Sequence, residues 1–266
     1  MDRGSVSVGE PFFFGANSSN FGNFHAVARP AGEAVVLLYP VGHEYVRSHR
    51  AFRNLSLSLA AAGRPVLRFD YTSTGDSRGD SAGLSLATLL DDVAAAIDEC
   101  ARRAGTRRVV LVGLRLGAAL AFLAASRRED ITRVVAWDPV VSGRAYLDEL
   151  AALQTGWLRD RLGANSAVAA SDDELLGLQV SRTLVGELQT IDLTSDPSRG
   201  AFRVDILESI PREDTAAWRR HLQAQGVRVE YEHLPSAGDW DNPEAVHQLL
   251  LPHEILRRIG SLLTAG

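Results

Sequence analysis

Residues 107–121 read RRVVLVGLRLGAALA, and this stretch decides the fold. The apolar, β-branched run Val109–Val112 predicts a strand, and the small helix-forming residues that follow predict a helix. Gly113 and Gly117 flank the transition, where close packing of a strand against a helix leaves no room for a side chain. The stretch therefore predicts a strand, a sharp turn at Arg115 and a helix.

The spacing of the two glycines is typical of a nucleophile elbow, the strained turn whose central Ser, Cys or Asp attacks a carbonyl carbon. The central residue of this chain is Arg115, a guanidinium that stays protonated at any working pH and cannot act as a nucleophile. The sequence therefore predicts the scaffold of a serine hydrolase without its nucleophile. A nucleophile from another element, Ser73 or Ser77, is a weaker alternative because neither lies on the strained turn.

The composition favours one large α/β domain with an insertion, since the chain has 266 residues and 45% hydrophobic content. A net charge of -5, with 28 basic and 33 acidic residues intermixed, provides no basic stripe for nucleic acid or an anionic membrane. The single Cys100 excludes an internal disulfide and any cysteine-based zinc site. We expect a cytoplasmic protein that uses no cofactor or metal and whose partner is a small molecule. A homodimer is left open.

Strands and helices alternate along the rest of the chain. The predicted strands are a hairpin within residues 11–29 and the runs Ala34–Pro40, Pro65–Tyr71, Ile131–Trp137, Phe202–Leu207 and Val227–Tyr231. The predicted helices are Ser48–Ala62, Leu84–Ala104, Thr215–Gln225 and His253–Leu263. This alternation predicts an α/β fold with a mostly parallel central sheet, flanking helices on both faces and an antiparallel hairpin at its entrance. Ligands of such a sheet bind at the carboxyl ends of its strands.

The alternation stops within residues 142–199, which we interpret as a helical lid inserted between the core segments 1–141 and 200–266. Helical pieces are predicted at Ala145–Leu162 and Asp172–Gly177. Apolar side chains recur at helical spacing and are expected to face the pocket or the core: Leu147, Leu150, Leu153, Trp157 and Leu158. Trp157 is also expected to contact the substrate. Because inserted segments usually gate access to a site, we expect the lid to be the most mobile part of the protein.

Four separated segments carry a resemblance to a known family: Tyr45–Arg50, Phe69–Ser77, Gly113–Ala118 and Trp137–Arg144. In this order they resemble the α/β-hydrolase superfamily, and more narrowly its serine-aminopeptidase-like branch. Within that branch the chain is most similar to exosortase-associated hydrolases, whose elbow also carries arginine. The resemblance covers nearly the whole chain and implies an α/β-hydrolase fold more firmly than it implies a reaction.

A hydrolase of this fold presents its catalytic residues in the order nucleophile, acid, histidine. Arg115 stands at the first position. Asp138, at the end of the strand after the elbow, is one candidate acid. Asp214 is the other candidate, with Glu213 and Asp205 behind it, and a solvated turn carboxylate is an equally good interpretation of Asp214.

The loop before the last helix, where a hydrolase carries its catalytic histidine, has no histidine at the expected position. Where a hydrolase has Gly-His or Asp-His, this chain reads Gly238-Asp239-Trp240. His247 is the only nearby histidine that we expect to reach the site from a loop. The sequence therefore predicts an incomplete triad in which His247 is the candidate base.

The two N–H groups of an oxyanion hole are predicted more clearly. One comes from the loop Gly42–Glu44 after the third strand, and the other comes from Leu116 at the start of the helix. Together with Arg115 and the helix N-terminus, these groups favour an anion, such as a carboxylate, an enolate or a thioester oxyanion. His43 and Glu44 are expected to form an acid–base pair there, although a structural, hydrogen-bonded role is more common for such a histidine.

Two classes of function follow. The first is an enzyme that acts on an anionic or carbonyl-containing small molecule (a carboxylated, ester or thioester compound) in biosynthesis, by elimination, cyclisation or hydrolysis without a covalent acyl intermediate. Arg115 and the oxyanion hole would stabilise charge, and His43, Glu44 or His247 would transfer protons. The second is a catalytically inactive hydrolase relic that binds a ligand or a partner protein. The polar, varied residues around the site favour the enzyme slightly.

A buried guanidinium without a partner carries several kcal/mol of desolvation cost, which a carboxylate in bidentate contact largely offsets. We expect Asp138 to be the partner of Arg115, with Glu44 and Asp214 behind it. If carboxylates close both donor faces, Arg115 is a strut that replaces the nucleophile. If one face stays open, Arg115 can bind a substrate anion.

Overall fold

The chain forms a mixed eight-stranded sheet flanked by helices, seen in a computed structural model. The structure describes residues 9–30, 32–162, 174–176, 178–179, 181–197, 202–235, 240, 242, 244–245, 248–250 and 252–264. The strands are β1 Glu10–Phe14, β2 Asn20–His25, β3 Ala34–Leu38, β4 Val66–Phe69, β5 Val109–Leu114, β6 Ile131–Trp137, β7 Glu174–Leu175, β8 Leu178–Gln179, β9 Arg203–Glu208 and β10 Val229–His233. The helices are α1 Gly42–Ala61, α2 Leu86–Ala104, α3 Leu116–Ala125, α4 Gly143–Leu162, α5 Arg182–Leu188, α6 Glu213–Ala224 and α7 His253–Thr264.

The strand order across the large sheet is β1-β2-β4-β3-β5-β6-β9-β10. Strand β2 runs antiparallel to β1 and β4, and the pairs from β4 to β10 are parallel. This confirms the predicted parallel sheet with an antiparallel hairpin at its entrance. Leu38, Gly113, Ala136 and Ile206 lie side by side across β3, β5, β6 and β9. The residues that follow these four strands therefore meet at one edge of the sheet.

The turn from β5 to α3 is packed as tightly as its glycines predict. A Cβ on Gly113 would lie 2.6 Å from the Cα of Ala118, and a Cβ on Gly117 would lie 2.9 Å from the carbonyl carbon of Leu38. All ten residues of α3 are buried, so this helix is enclosed in the core rather than amphipathic. The first turn of α3 consequently begins directly at the carboxyl edge of the sheet.

Helix α1 begins earlier than predicted, at Gly42 rather than Ser48. The predicted loop around His43 and Glu44 is therefore the first helical turn, and Val41 is the last extended residue before it. The helical start directs Glu44, which is buried, toward the interior at the carboxyl edge of the sheet. None of the described helices is long and apolar enough to cross a membrane.

The predicted lid, residues 142–199, contains α4, α5 and a short hairpin. Leu147, Leu150 and Leu153 of α4 are buried, as their helical spacing predicts, and Trp157 packs against the core in part. The predicted helix Asp172–Gly177 is wrong for its described residues, because β7 pairs with β8 in an antiparallel hairpin separate from the large sheet. The exact boundary between core and lid stays a prediction.

Candidate functional site

The backbone at Arg115 adopts the strained geometry of an elbow. Its φ of 54° and ψ of -121° lie in a region that residues with a side chain rarely occupy. The N–H of Arg115 donates to the carbonyl of Trp137 at 3.0 Å, and its own carbonyl accepts from Ala118 at 3.0 Å and Val140 at 3.2 Å. Strand β6 and helix α3 therefore hold the turn at Arg115 from both sides.

Two carboxylates, one from the core and one from α4, hold the guanidinium of Arg115. Its Nε donates to Oε1 of Glu44 at 2.9 Å, and its Nη2 donates to Oε1 of Glu149. The second oxygen of Glu44 accepts from the Tyr146 hydroxyl at 3.0 Å, and the second oxygen of Glu149 accepts from Nη1 of Arg212 at 2.8 Å. We call these five residues the elbow network. It fastens α4 to the elbow, to α1 and to the start of α6.

Aromatic rings complete the enclosure of Arg115. Its guanidinium carbon lies 5.4 Å from the ring centroid of Tyr146 and 5.2 Å from that of Trp240. Arg47 approaches the Trp240 ring at 5.0 Å. Such distances are typical of cation–π contacts. With these neighbours, the side chain of Arg115 is only 2% exposed.

Asp138 does not pair with Arg115, and the predicted ion pair is wrong. Oδ1 of Asp138 accepts from the backbone N–H of Ser209 at 2.6 Å. Oδ2 accepts from the Ser209 hydroxyl at 2.7 Å and from the indole N–H of Trp240 at 2.9 Å. The physical reason is that β9 neighbours β6, so its following residue supplies donors to Asp138, while the first turn of α1 supplies Glu44 to Arg115.

Burial is the largest influence on the pKa values of Glu44 and Asp138. Burial raises the pKa of Glu44 above its ordinary value, and the charge of Arg115 and its hydrogen bond oppose this only in part. Burial also raises the pKa of Asp138, against the hydrogen bonds from Ser209 and Trp240. Burial opposes the charge of Arg115, but the carboxylates of Glu44 and Glu149 outweigh it and raise the pKa of the guanidinium. Arg115 is therefore a permanent cation, and Glu44 is a proton-accepting group at raised pKa.

The backbone N–H groups predicted to form an oxyanion hole differ in their hydrogen bonding. The N–H of His43 donates to the carbonyl of Leu176, in the β7–β8 turn, at 3.0 Å. Leu116 is the first residue of α3, where an N–H has no acceptor within its own helix. Gly42 is the first residue of α1. One of the predicted donors is thus satisfied by the chain itself.

The other described candidates have contacts of their own. Asp214 is in the first turn of α6, where its Oδ1 accepts from the N–H of Thr215 at 2.8 Å, so it acts as a helix-start carboxylate together with Glu213. Asp205 is buried in ion pairs with arginines of β6 and β9. Trp157 lies against Arg161, 5.1 Å from the guanidinium carbon to the ring centroid. His247 lies outside the described residues.

Ser73 and Ser77 are the weaker candidates for a nucleophile, and the contacts of Ser77 give it a structural role. The hydroxyl of Ser77 donates to the carbonyl of Asp70 at 2.6 Å and accepts from the N–H of Phe21 at 2.8 Å. Through these two hydrogen bonds, Ser77 joins the loop after β4 to β2. Ser73 lies in the same loop, with a φ of 62°.

Sequence reasoning missed Glu149, Tyr146 and Arg212 as members of the network. A signal was available for the first two, because Tyr146 and Glu149 share a helix face with the buried Leu150 and Leu153. A glutamate on a buried face needs a cationic partner. Nothing in the local sequence of Arg212 indicates its contact with α4. Among the described residues, no group of three or more His, Cys, Asp and Glu side chains could hold a metal ion.

The likeness to solved structures shows the fold. An esterase from Pyrococcus furiosus is 16% identical, with a TM-score of 0.66 over 97% of this chain and 90% of that chain. A hypothetical protein from Pseudomonas aeruginosa is 14% identical, with a TM-score of 0.67 over 100% and 95% of the two chains. The bottromycin epimerase BotH, solved with bottromycin A2, is 18% identical, with a TM-score of 0.61 over 96% and 99%. No curated protein matches the sequence.

The family model of serine aminopeptidase S33 matches residues 32–200, which is more than half of the chain. The matched part contains the elbow, Glu44 and α4. It ends before β9, and therefore before the residues that contact Asp138. The chain belongs to the serine aminopeptidase S33 family of the α/β-hydrolase superfamily.

Proposed function

We propose that this protein is a non-hydrolytic member of its family, which binds a small molecule or a partner without forming a covalent acyl intermediate. The observation that carries the proposal is the pair of carboxylates on Arg115. Glu44 accepts from Nε and Glu149 accepts from Nη2 of the guanidinium, and this double pairing is typical of a structural arginine. An arginine in this position offers no lone pair for attack on a carbonyl carbon.

The other two triad positions support the same function. Trp240, from the segment that would carry the catalytic histidine, donates its indole N–H to Asp138, as a histidine of a triad would donate to its acid. An indole nitrogen donates but cannot accept a proton. Asp138 therefore accepts a hydrogen bond as the acid of a triad does, but its partner, Trp240, cannot act as a base.

A second candidate is an enzyme that uses non-covalent acid–base chemistry on a carboxylated, ester or thioester compound. The raised pKa of Glu44 favours it, because a buried carboxyl with a raised pKa can exchange protons with a substrate. The fold hosts such a variety of reactions: its solved examples include an esterase and an epimerase.

A fluorophosphonate probe tests the main proposal, since it labels activated serines. We expect no labelling of this protein at a probe concentration that labels an active serine hydrolase completely. Stoichiometric labelling of any serine would overturn the proposal. A panel of carboxylic esters and thioesters tests the second candidate: turnover that Glu44→Gln abolishes, and that the exposed-site variant Glu129→Gln retains, would establish the acid–base enzyme.

A further inference from the structure

Glu149 of α4 is held as a ligand would be held. Its Oε1 accepts from Arg115 at the elbow, and its Oε2 accepts from Nη1 of Arg212 at 2.8 Å, directly before α6. Each carboxylate oxygen thus has its own guanidinium. Planar guanidinium groups around one carboxylate are a common way in which proteins recognise carboxylic acids.

The two carboxylates on Arg115 differ in accessibility. The Glu44 side chain is 1% exposed and is held from the other side by Tyr146, so it belongs to the interior. The Glu149 side chain is 16% exposed and that of Arg212 is 26% exposed, so solvent reaches this end of the network. The Glu149 carboxylate can therefore leave its position by side-chain rotation or by movement of α4, whereas the Glu44 carboxylate cannot.

The charge balance gives the vacated position a preference for anions. Arg115 and Arg212 are both cations, and Glu149 is a carboxylate that pairs with each of them. When Glu149 leaves, Nη2 of Arg115 and Nη1 of Arg212 lose the carboxylate that they share. A second carboxylate that arrives from solvent restores the balance and the hydrogen bonds.

We propose that Arg115 and Arg212 form a binding site for a small carboxylic acid, and that Glu149 occupies this site as an internal ligand until such an acid displaces it. The proposal rests on the ligand-binding function proposed above and names its ligand class. Displacement would remove one of the two hydrogen-bonded links between α4 and the elbow network, because Glu149 supplies one and Tyr146 supplies the other.

The test is a calorimetric titration with hexanoate at constant ionic strength. Glu149→Gln removes the competing charge and nearly keeps the side-chain shape, so we expect it to bind hexanoate about tenfold or more tightly than the unaltered protein. Asp148→Asn, at the exposed neighbouring position of α4, is the matched control and should not change affinity. Hexanamide should bind none of these proteins, and Arg212→Gln in the Glu149→Gln background should remove hexanoate binding.

Equal hexanoate affinity in Glu149→Gln and the unaltered protein would overturn the proposal. If Glu149→Gln does not fold, amide hydrogen exchange of the unaltered protein tests the proposal instead. Saturating hexanoate should then speed amide exchange in α4 relative to hexanamide, and unchanged exchange would overturn the proposal. Either negative result leaves the absence of fluorophosphonate labelling untouched, so failure of this inference is distinct from failure of the proposed function.

Discussion

Arg115 and Arg102 both pair with glutamates at hydrogen-bond distance, but they do so in opposite surroundings. The Arg115 side chain is 2% exposed and lies 2.9 Å from Glu44, whereas Arg102 is 66% exposed and lies 2.7 Å from Glu99 on the surface of α2. Solvent and flexible side chains make an exposed pair nearly neutral for stability. Removal of one partner from a buried pair leaves an uncompensated charge. Burial, and not distance, therefore decides what each pair contributes.

The largest effect is expected for Arg115→Ala. The change removes the cation that Glu44 and Glu149 share, and only Glu149 keeps a pairing with Arg212, so we expect the free energy of unfolding to fall by about 3–5 kcal/mol. Urea denaturation measures it. Arg102→Ala is the matched control, for which we expect no measurable change in the denaturation midpoint. Similar losses in the two variants would contradict the comparison.

Arg115→Lys separates charge from geometry. Lysine keeps the positive charge but loses the planar fork that reaches two carboxylates at once. Because Arg115 pairs with two carboxylates, we expect a loss of stability smaller than that of Arg115→Ala, with a lowered Tm. A variant with unchanged Tm would show that the point charge alone suffices.

The fold could be predicted from the sequence because its signals are local. The run Val109–Val112 and the two glycines at 113 and 117 determine a strand, a turn and a helix within about a dozen residues. The site is different, since Glu44, Glu149 and Arg115 come together from three elements distant in the chain. Periodicity predicts which face of α4 is buried, but not the elbow residue on which that face lies.

The partner of Arg115 illustrates the limit. Sequence reasoning chose Asp138 because the elbow strand and the next strand are adjacent, and this adjacency is present. Adjacency of strands does not fix the direction of a side chain at their ends. The backbone N–H of Ser209, its hydroxyl and the Trp240 indole take both oxygens of Asp138 instead. Glu44, named only as a reserve, is the core partner of Arg115.

Asp138→Asn should have the next largest effect. A carboxylate accepts all three hydrogen bonds, whereas the amide nitrogen of asparagine must face at least one donor. Hydrogen bonds to charged groups are stronger than neutral ones, so we expect a loss of about 2 kcal/mol in urea denaturation. A loss as large as that of Arg115→Ala would indicate that Asp138 supports the elbow network directly.

Two buried tryptophans compare an indole N–H that has a hydrogen-bond acceptor with one that has none among the described residues. Trp240 and Trp218 are both buried, but only the Trp240 indole N–H donates to a carboxylate. That of Trp218 has no acceptor among the described residues. Replacement by phenylalanine removes the N–H from each, and we expect the Trp240→Phe loss to exceed the Trp218→Phe loss by about 1 kcal/mol. Equal losses would mean that ring volume alone accounts for both.

The pH dependence of stability tests the protonation of Glu44. Burial raises the pKa of Glu44 in the folded protein, so between the ordinary value of 4.5 and the raised value the folded state holds a proton that the unfolded state has released. The free energy of unfolding therefore falls as the pH rises through this window, by at most about 1.4 kcal/mol per pH unit for one proton.

Glu44→Gln removes this contribution, whereas the exposed Glu129→Gln keeps it. Asp138, whose pKa is also raised by burial, contributes in the same direction in all three proteins, so the difference between the two variants isolates Glu44. Urea denaturation from pH 4.5 to about 8 should give a shallower fall for Glu44→Gln. Parallel curves for the two variants would show that Glu44 stays ionised beside Arg115, and that the elbow holds two full carboxylates around its arginine.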